Sequence, residues 1–277
     1  MTCAPMPWAS AVERVCIPWR DRQVEIEYQW LEAHRADAPV MIFLHEGLGS
    51  VAMWKDFPAQ LCRAAGLRGL VYSRPGYGRS TPRLPGEVWE SDFMHRQAHE
   101  VLPVLREALG LAQPAWLLGH SDGGSIALLH AARFPELTAG VVLMAPHVMV
   151  EDISVASIAK AAEAYHQGGQ GGLRERLARY HADVDSAFGG WAGIWLDPAF
   201  RRWNIEAEAA CLRSPTLAIQ GLDDEYGTLE QVRAIARVAL SVKLLELPAC
   251  GHSPHRDQPE QVTESIRQFI QTSRRQA

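Results

Sequence analysis

The stretch GHSDGG at residues 119–124 decides the fold that we predict from this sequence. It follows the apolar run at 114–118, which is typical of a buried strand, and precedes the apolar-periodic run at 125–134, which is typical of a helix. A serine in the pattern Gly-x-Ser-x-Gly between a strand and a helix is typical of a nucleophile on a strained turn. The stretch therefore predicts a reactive serine at position 121. A base, an acid and an anion-binding site must come from elsewhere in the chain.

Strands and helices alternate on both sides of this turn. Apolar runs typical of strands buried on both faces occur at 40–44, 69–73, 114–119, 139–146, 215–221 and 242–248. Helical patterns occur at 53–66, 91–109, 124–134, 228–239 and 259–273. Two further segments, 13–20 and 23–32, are predicted to form an antiparallel pair with one solvated side. The alternation predicts an α/β fold with a mostly parallel central sheet and helices on both faces.

Residues 147–210 interrupt this alternation. They contain helical patterns around the glycine-rich stretch 167–172 but no buried strand. We predict that 147–210, called here the helical insertion, folds over the sheet edge of a core formed by 1–146 and 211–277. Its aromatic residues, which include Trp191 and Trp195, indicate an apolar or aromatic pocket, although packing of the insertion on the core also explains most of them.

Polar residues follow four of the predicted strands, and ligands bind beyond the carboxyl ends of such strands. The four segments are 45–49, 119–124, 220–225 and 248–255. A serine hydroxyl becomes a good nucleophile when an imidazole removes its proton and a carboxylate orients that imidazole. The last three segments offer a serine, acids and a histidine in this order along the chain, which fits the strained-turn class of nucleophile.

With these motifs the sequence resembles the α/β-hydrolase superfamily over nearly its whole length. The matching motifs are GHSDGG, SRPGYGRS at 73–80, QGLDDEYG at 220–227 and GHSPHRDQPE at 251–260. The resemblance implies an α/β-hydrolase fold with an inserted helical lid. It implies Ser121 as the nucleophile, Asp224 as the acid and His252 as the base, which leaves Asp223 as a solvated neighbour.

The same resemblance implies an oxyanion hole made of two backbone N–H groups. One belongs to Asp122. The other belongs to Gly47, with Leu48 as the alternative, because Glu46 stands where such families commonly have glycine. Side chains predicted to contact the substrate are those of Asp122, Glu46, Tyr77, Trp191 and Trp195.

The side chain of Asp122 needs a separate explanation. A negative charge beside an oxyanion is unfavourable unless the carboxylate points away, is paired or binds a positively charged substrate. Pairing or capping at the start of the next helix is the favoured interpretation. A resemblance of the Ser-Asp-Gly-Gly turn to amino-acid-ester esterases leaves binding of a substrate amine as the alternative.

Other reactive side chains near the motifs have structural interpretations. His45 and His120 are expected to pack and form hydrogen bonds around the turn. His255 is expected at a helix entry or on the surface, and Cys250 is expected to be a buried, inert thiol.

Composition excludes several classes of function. The chain of 277 residues is 47% hydrophobic and 21% charged, as in soluble globular proteins, and its net charge of −5 gives no bulk reason to bind nucleic acid or an anionic membrane. The five cysteines are scattered without a C-x-x-C pair, which indicates reduced thiols in a cytoplasm. The N-terminal stretch lacks a secretory signal pattern, and no apolar run reaches the roughly 18 residues of a membrane span. We expect an untargeted cytoplasmic protein.

Together these features predict a serine hydrolase that cleaves an ester, thioester or similar acyl bond of a small molecule through an acyl-enzyme. We expect no metal and no organic cofactor, and a homo-oligomer is compatible with the sequence. Alternatives are a hydrolase of carbon–carbon bonds in vinylogous diketones and an amino-acid-ester hydrolase. A ligand receptor without catalysis is disfavoured because Ser121, Asp224 and His252 are intact.

Overall fold

Eight strands form one sheet in the computed structural model, which describes residues 10–276. Cys3 and the first nine residues of the N-terminal stretch therefore lie outside the described residues. The strands are β1 (Glu13–Trp19), β2 (Arg22–Leu31), β3 (Val40–Leu44), β4 (Arg68–Tyr72), β5 (Ala115–His120), β6 (Thr138–Met144), β7 (Thr216–Gly221) and β8 (Val242–Leu247). All the predicted strands are present, with small shifts at their ends.

The order of strands in the sheet is β1-β2-β4-β3-β5-β6-β7-β8. Strand β2 runs antiparallel to both β1 and β4, whereas all the other neighbours are parallel. The carboxyl ends of β3, β5, β6, β7 and β8 therefore lie along one edge of the sheet. This is the edge at which the sequence predicts the chemistry.

The helices are α1 (Phe57–Ala65), α2 (Phe93–Arg96), α3 (Leu102–Ala108), α4 (Asp122–Arg133), α5 (Asp152–Gln167), α6 (Leu173–Ala178), α7 (Val184–Trp195), α8 (Glu206–Ala209), α9 (Glu230–Val238), α10 (Pro254–Asp257) and α11 (Pro259–Gln276). The predicted helix 91–109 contains a π-helical turn, Gln97–Val101, between α2 and α3. Pro103 explains this change, because proline has no N–H to donate to the carbonyl four residues earlier. The predicted helix 53–66 is interrupted at Lys55, whose φ is 54°.

Hydrophobic side chains cover both faces of the sheet, because successive residues of a strand point to opposite faces. In β3, Ile42 and Leu44 join one buried cluster with α3, α4 and α9. Met41 and Phe43 join a second cluster with α1 and α11. The α/β-hydrolase fold class, with a mostly parallel sheet covered on both faces, is confirmed.

Four helices, α5 to α8, occupy the helical insertion between the adjacent strands β6 and β7. The two ends of this segment meet, since the Ile205 N–H donates to the Val148 carbonyl at 2.8 Å. Its interior is aromatic, with the rings of Tyr165 and Phe188 stacked at 3.7 Å between centroids. The boundaries 147 and 210 and the role of a lid stay predictions.

Across residues 10–276, no helix has both the length and the apolar character needed to cross a bilayer.

Candidate active site

Ser121 lies on a strained turn between the end of β5 and the start of α4. Its φ of 54° and ψ of −124° are unfavourable for a residue with a side chain. Glycine is required around it. A Cβ on Gly119 would lie 2.1 Å from the Gly123 carbonyl oxygen, and one on Gly123 would lie 2.0 Å from the Leu44 carbonyl oxygen. The glycines of GHSDGG thus let α4 approach β3 and β5 closely enough to present the Ser121 hydroxyl at the sheet edge.

The structure brings Ser121, His252 and Asp224 into one hydrogen-bonded chain. The distance from Ser121 Oγ to His252 Nε2 is 2.9 Å, and His252 Nδ1 lies 2.9 Å from each carboxylate oxygen of Asp224. An ionised Asp224 accepts a hydrogen bond from the Nδ1–H of His252, which fixes the tautomer in which Nε2 is unprotonated and can accept the serine proton. This arrangement can turn the hydroxyl into a nucleophile.

Asp224 follows β7 and is held as an ionised hydrogen-bond acceptor. It accepts hydrogen bonds from Gln220 Nε2 at 2.7 Å and from the Tyr226 N–H at 2.8 Å. Burial by itself raises the pKa of Asp224, but the hydrogen bond and charge of His252 and the Tyr226 N–H outweigh it, so the pKa is lowered. The side chain of its neighbour Asp223 is exposed, as expected of a solvated residue.

The loop that carries His252 is held by its backbone. The His252 carbonyl accepts a hydrogen bond from His120 Nε2 at 2.7 Å, so this nitrogen carries a proton. On the other side of the His120 ring, Nδ1 lies 3.6 Å from Glu46 Oε2, and Glu46 Oε1 lies 3.5 Å from Arg256 Nη2. Burial raises the pKa of Glu46, but His120 and Arg256 lower it well below its ordinary value. The Glu46 carboxylate thus lies between the side chains of His120 and Arg256.

Backbone N–H groups near Ser121 could bind an oxyanion. The N–H of Asp122 is the first of α4 and has no acceptor within the helix. The Glu46 carbonyl accepts hydrogen bonds from His45 Nδ1, the Gly49 N–H and Arg74 Nη2 at 2.7, 3.0 and 2.9 Å. Since a trans peptide places its N–H opposite its carbonyl, the Gly47 N–H points away from these donors. Gly47 and Leu48 both line the cavity beside Ser121, and the choice of Gly47 as the second donor stays a prediction.

The carboxylate of Asp122 is buried and paired, with a side chain that is 1% exposed. Oδ1 accepts a hydrogen bond from Trp195 Nε1 at 3.2 Å, and Oδ2 lies 3.9 Å from Nη2 of the buried Arg74. Burial raises the pKa of Asp122, although the charge of Arg74 and the Trp195 hydrogen bond oppose this shift. The pairing favoured from the sequence is present, and it involves the helical insertion as well as the core.

A cavity of about 170 Å³ opens beside Ser121 and His252. Its walls are Glu46, Gly47, Leu48, His120, Ser121, Asp122, His147, Ile158, Trp191, Trp195, Tyr226, His252, Ser253 and Arg256. Trp191 lies so close to Gly47 that a Cβ there would be 2.1 Å from the indole nitrogen.

Tyr77 requires a correction, because the structure places it outside this cavity lining. Its ring is buried, with the guanidinium of Arg74 4.6 Å from the ring centroid and His45 edge-on at 5.4 Å. The ring of His181, from the helical insertion, packs edge-on against it at 6.2 Å between centroids. Tyr77 therefore belongs to the support of the Arg74 loop.

His147 is the residue that the sequence analysis missed at this site. It follows β6, and its Nε2 lies 3.4 Å from Ser121 Oγ. Burial, and then the charge of His252, lower the pKa of His147 to about 3. The rule about strand ends could have found it, since His147 follows the carboxyl end of β6, which is a parallel strand.

The remaining histidines and the thiol behave mainly as expected. His45 Nε2 accepts a hydrogen bond from the Arg74 N–H at 3.0 Å. His255 is the second residue of α10, but it is buried against Trp54 and is not a surface residue. The Cys250 thiol is buried, and burial raises its pKa to about 11. Within the described part of the chain, no group of three or more His, Cys, Asp or Glu side chains is arranged to hold a metal ion.

Comparisons with known proteins agree with this architecture. The family model described as the alpha/beta hydrolase fold matches residues 39–188, which is more than half of the chain. The chain is 28% identical over 261 residues to RutD of Pseudomonas savastanoi pv. phaseolicola, provisionally named a carbamate hydrolase, with 86% of this chain and 97% of RutD covered. It is 24% identical to the 2-hydroxy-6-oxo-6-phenylhexa-2,4-dienoate hydrolase of Burkholderia cepacia, with 76% of this chain and 80% of that enzyme covered.

A solved structure shows the same fold. The thermophilic esterase from Thermogutta terrifontis superposes with a TM-score of 0.71 at 22% identity, covering 94% of this chain and 99% of the esterase. The family match, the sheet and the strained serine turn agree with one another. The chain belongs to the α/β-hydrolase family and is an enzyme of the hydrolase type.

Proposed function

We propose that this protein is a serine hydrolase that cleaves an ester, thioester or similar acyl bond of a small molecule through an acyl-enzyme. The observation that carries the proposal is the hydrogen-bonded chain from Ser121 through His252 to Asp224, with both distances at 2.9 Å. A buried carboxylate, an oriented imidazole and a hydroxyl on a strained turn together form the machinery of nucleophilic acyl transfer.

The proposed reaction has two halves. In the first, His252 Nε2 takes the proton of Ser121 while Oγ attacks the acyl carbon, and the N–H groups of Asp122 and Gly47 bind the oxyanion. His252 then gives the proton to the leaving group. In the second half, His252 activates a water molecule, which attacks the acyl-enzyme and releases the acid.

The cavity supports a small acyl group. Its volume of about 170 Å³ is close to that of an apolar protein cavity of about 150 Å³ that binds benzene. Leu48, Ile158, Trp191 and Trp195 supply its apolar walls. We therefore propose short or singly aromatic acyl groups, with any longer part of the substrate extending out of the cavity past Arg256.

Relatives favour two neighbouring chemistries. Cleavage of a carbamate falls under the same acyl-transfer scheme, and RutD supports it. The similarity to the Burkholderia cepacia dienoate hydrolase and to a Comamonas testosteroni enzyme, named a hydrolase of 2-hydroxy-6-oxononadienedioate, supports carbon–carbon bond cleavage as the second candidate. Binding of a substrate amine by Asp122 has less support, because its carboxylate is buried between Trp195 and Arg74.

The test is a panel of acyl esters, thioesters, carbamates and vinylogous diketones assayed with the wild type, Ser121→Ala and His252→Ala. Each variant should lower kcat by roughly 10⁴- to 10⁶-fold and keep the fold. A fluorophosphonate probe should label the wild type and not Ser121→Ala. Turnover near the wild-type value in either variant would contradict the proposal. Product analysis separates the two candidates, since acyl transfer releases an alcohol, thiol or amine and carbon–carbon cleavage releases a shortened ketone or dienoate.

A further inference from the structure

A second histidine contacts the proposed nucleophile. His147 Nε2 lies 3.4 Å from Ser121 Oγ, and His252 Nε2 lies 2.9 Å from the same oxygen. The backbone of His147 is fixed to α4, because Ser125 Oγ donates to its carbonyl at 2.6 Å and accepts from its N–H at 3.1 Å. The ring also packs against Trp195 at 4.8 Å between centroids. The imidazole is therefore held in place beside the reacting oxygen.

The surroundings of the ring indicate which nitrogen carries the proton. Nδ1 of His147 is buried and, among residues 10–276, has no hydrogen-bond partner. A proton on Nδ1 would bury an N–H without an acceptor, which is costly, whereas a proton on Nε2 is directed at Ser121 Oγ. Ser121 has a single hydroxyl proton, and the shorter contact directs it to His252. His147 therefore acts as a donor to Oγ and not as a second base.

We propose that His147 is a further catalytic residue, whose Nε2–H donates a hydrogen bond to Ser121 Oγ and stabilises the negative charge that develops there during acyl transfer. This inference rests on the proposed function. It adds a donor on the nucleophile's own oxygen to the two backbone donors on the substrate oxygen.

The contribution is largest when the acyl-enzyme breaks down. In that step the bond between the acyl carbon and Oγ breaks, its electron pair goes to Oγ, and the protonated His252 transfers its proton to Oγ. His147 keeps its own proton throughout. The ester oxygen of the acyl-enzyme accepts hydrogen bonds only weakly, so the His147 bond strengthens as the charge appears, and only such a gain lowers the barrier. During acylation the starting hydroxyl already accepts this bond, so the gain is smaller.

Three substitutions of His147 distinguish a donor role from a packing role. His147→Gln can place an amide N–H near the position of Nε2, whereas His147→Asn places its amide near the position of Nδ1. His147→Phe keeps a ring and removes both nitrogens. His255→Phe is the matched control, since it also replaces a buried histidine by phenylalanine, but at a position that does not line the cavity and whose two ring nitrogens have no hydrogen-bond partner among residues 10–276.

The experiment is stopped-flow hydrolysis of 4-nitrophenyl acetate, in which the burst reports acylation and the steady state reports deacylation. We expect His147→Phe and His147→Asn to slow deacylation roughly ten- to a hundredfold, the scale of one hydrogen bond to a charged group. KM should fall together with kcat, because the acyl-enzyme accumulates. His147→Gln should deacylate several times faster than His147→Asn, and His255→Phe should match the wild type.

Fluorophosphonate labelling of each variant counts the reactive serines, and thermal unfolding checks the fold. Deacylation by His147→Phe within twofold of the wild type would overturn the inference, as would equal losses in the Gln and Asn variants. If the wild type is neither labelled nor more active than Ser121→Ala, the proposed function fails and the inference fails with it. Labelling and turnover in the wild type with no His147 effect would overturn the inference alone.

Discussion

The role of the Asp122 side chain can be tested through its partner Arg74. Both side chains are almost completely buried, and Oδ2 lies 3.9 Å from Nη2. Asp122→Asn keeps the shape and the backbone N–H but removes the charge, which leaves the guanidinium of Arg74 buried without an anion beside it. We expect this change to destabilise the fold more than it weakens catalysis.

The distance sets the magnitude. Two unit charges 3.9 Å apart attract by about 4 kcal/mol at an effective dielectric constant of about 20. Burial raises the pKa of Asp122, so part of this attraction is offset by the cost of holding a charge away from water. Removing one member of a buried pair typically costs about 3–5 kcal/mol. We therefore expect Asp122→Asn to lower the free energy of unfolding by about 3 kcal/mol.

A double-mutant cycle with Arg74→Met is the assay, read by urea denaturation at pH 7. Because Arg74→Met removes the uncompensated charge, the double variant should be more stable than Asp122→Asn alone. The coupling energy between the two sites should be about 2–3 kcal/mol. A coupling below about 0.5 kcal/mol would refute the reasoning, since the two side chains would then act independently.

Kinetics of the same Asp122→Asn variant tests the amine alternative. If Asp122 has only this internal role, kcat/KM for neutral esters and for amino-acid esters should change by the same factor. A selective loss for amino-acid esters, on the order of 1.5–3 kcal/mol, would show that the carboxylate binds the substrate ammonium.

Three further predictions follow from the geometry. Ser121→Gly should be more stable than Ser121→Ala by about 1 kcal/mol in denaturant titrations, because glycine relieves the strain of a φ of 54°, and equal stability would contradict this. Asp224→Asn should lower kcat by roughly 10³- to 10⁴-fold, whereas Asp223→Asn should change it little; a worse loss at Asp223 would reverse the assignment of the acid. His255→Phe should raise the free energy of unfolding by about 1 kcal/mol, because both ring nitrogens are buried and have no hydrogen-bond partner in the described part of the chain. Burial, and then the charge of His120, lower the pKa of His255 to about 2, so below pH about 6.5 only the unfolded chain takes up a proton on this ring. The free energy of unfolding of the wild type should therefore decrease as the pH is lowered. His255→Phe should reduce this dependence by about 1.4 kcal/mol per pH unit between pH 6 and 4.

The sequence by itself determined the local geometry of the site. GHSDGG predicts a strained serine because only glycine fits the close contacts that Gly119 and Gly123 make with backbone carbonyls. The alternation of apolar runs predicts the parallel strands, and parallel strands bring their carboxyl ends to one edge. The segments that carry Ser121, Asp224 and His252 could therefore be placed together from their positions after strands, whereas the choice of Asp224 and His252 within those segments is what the resemblance to α/β-hydrolases implies.

Only the tertiary structure decided which side chains meet across elements. The contacts of His147 with Ser121, of Arg74 with Asp122 and of Trp195 with Asp122 join segments 26, 48 and 73 residues apart along the chain. Neither periodicity nor motif spacing encodes such contacts, because they depend on how the helical insertion and the loops pack against the sheet. The same packing placed Tyr77 against Arg74 and His45 and outside the cavity lining, since the surroundings of a side chain on a glycine-rich turn follow from its neighbours in space and not from those in sequence.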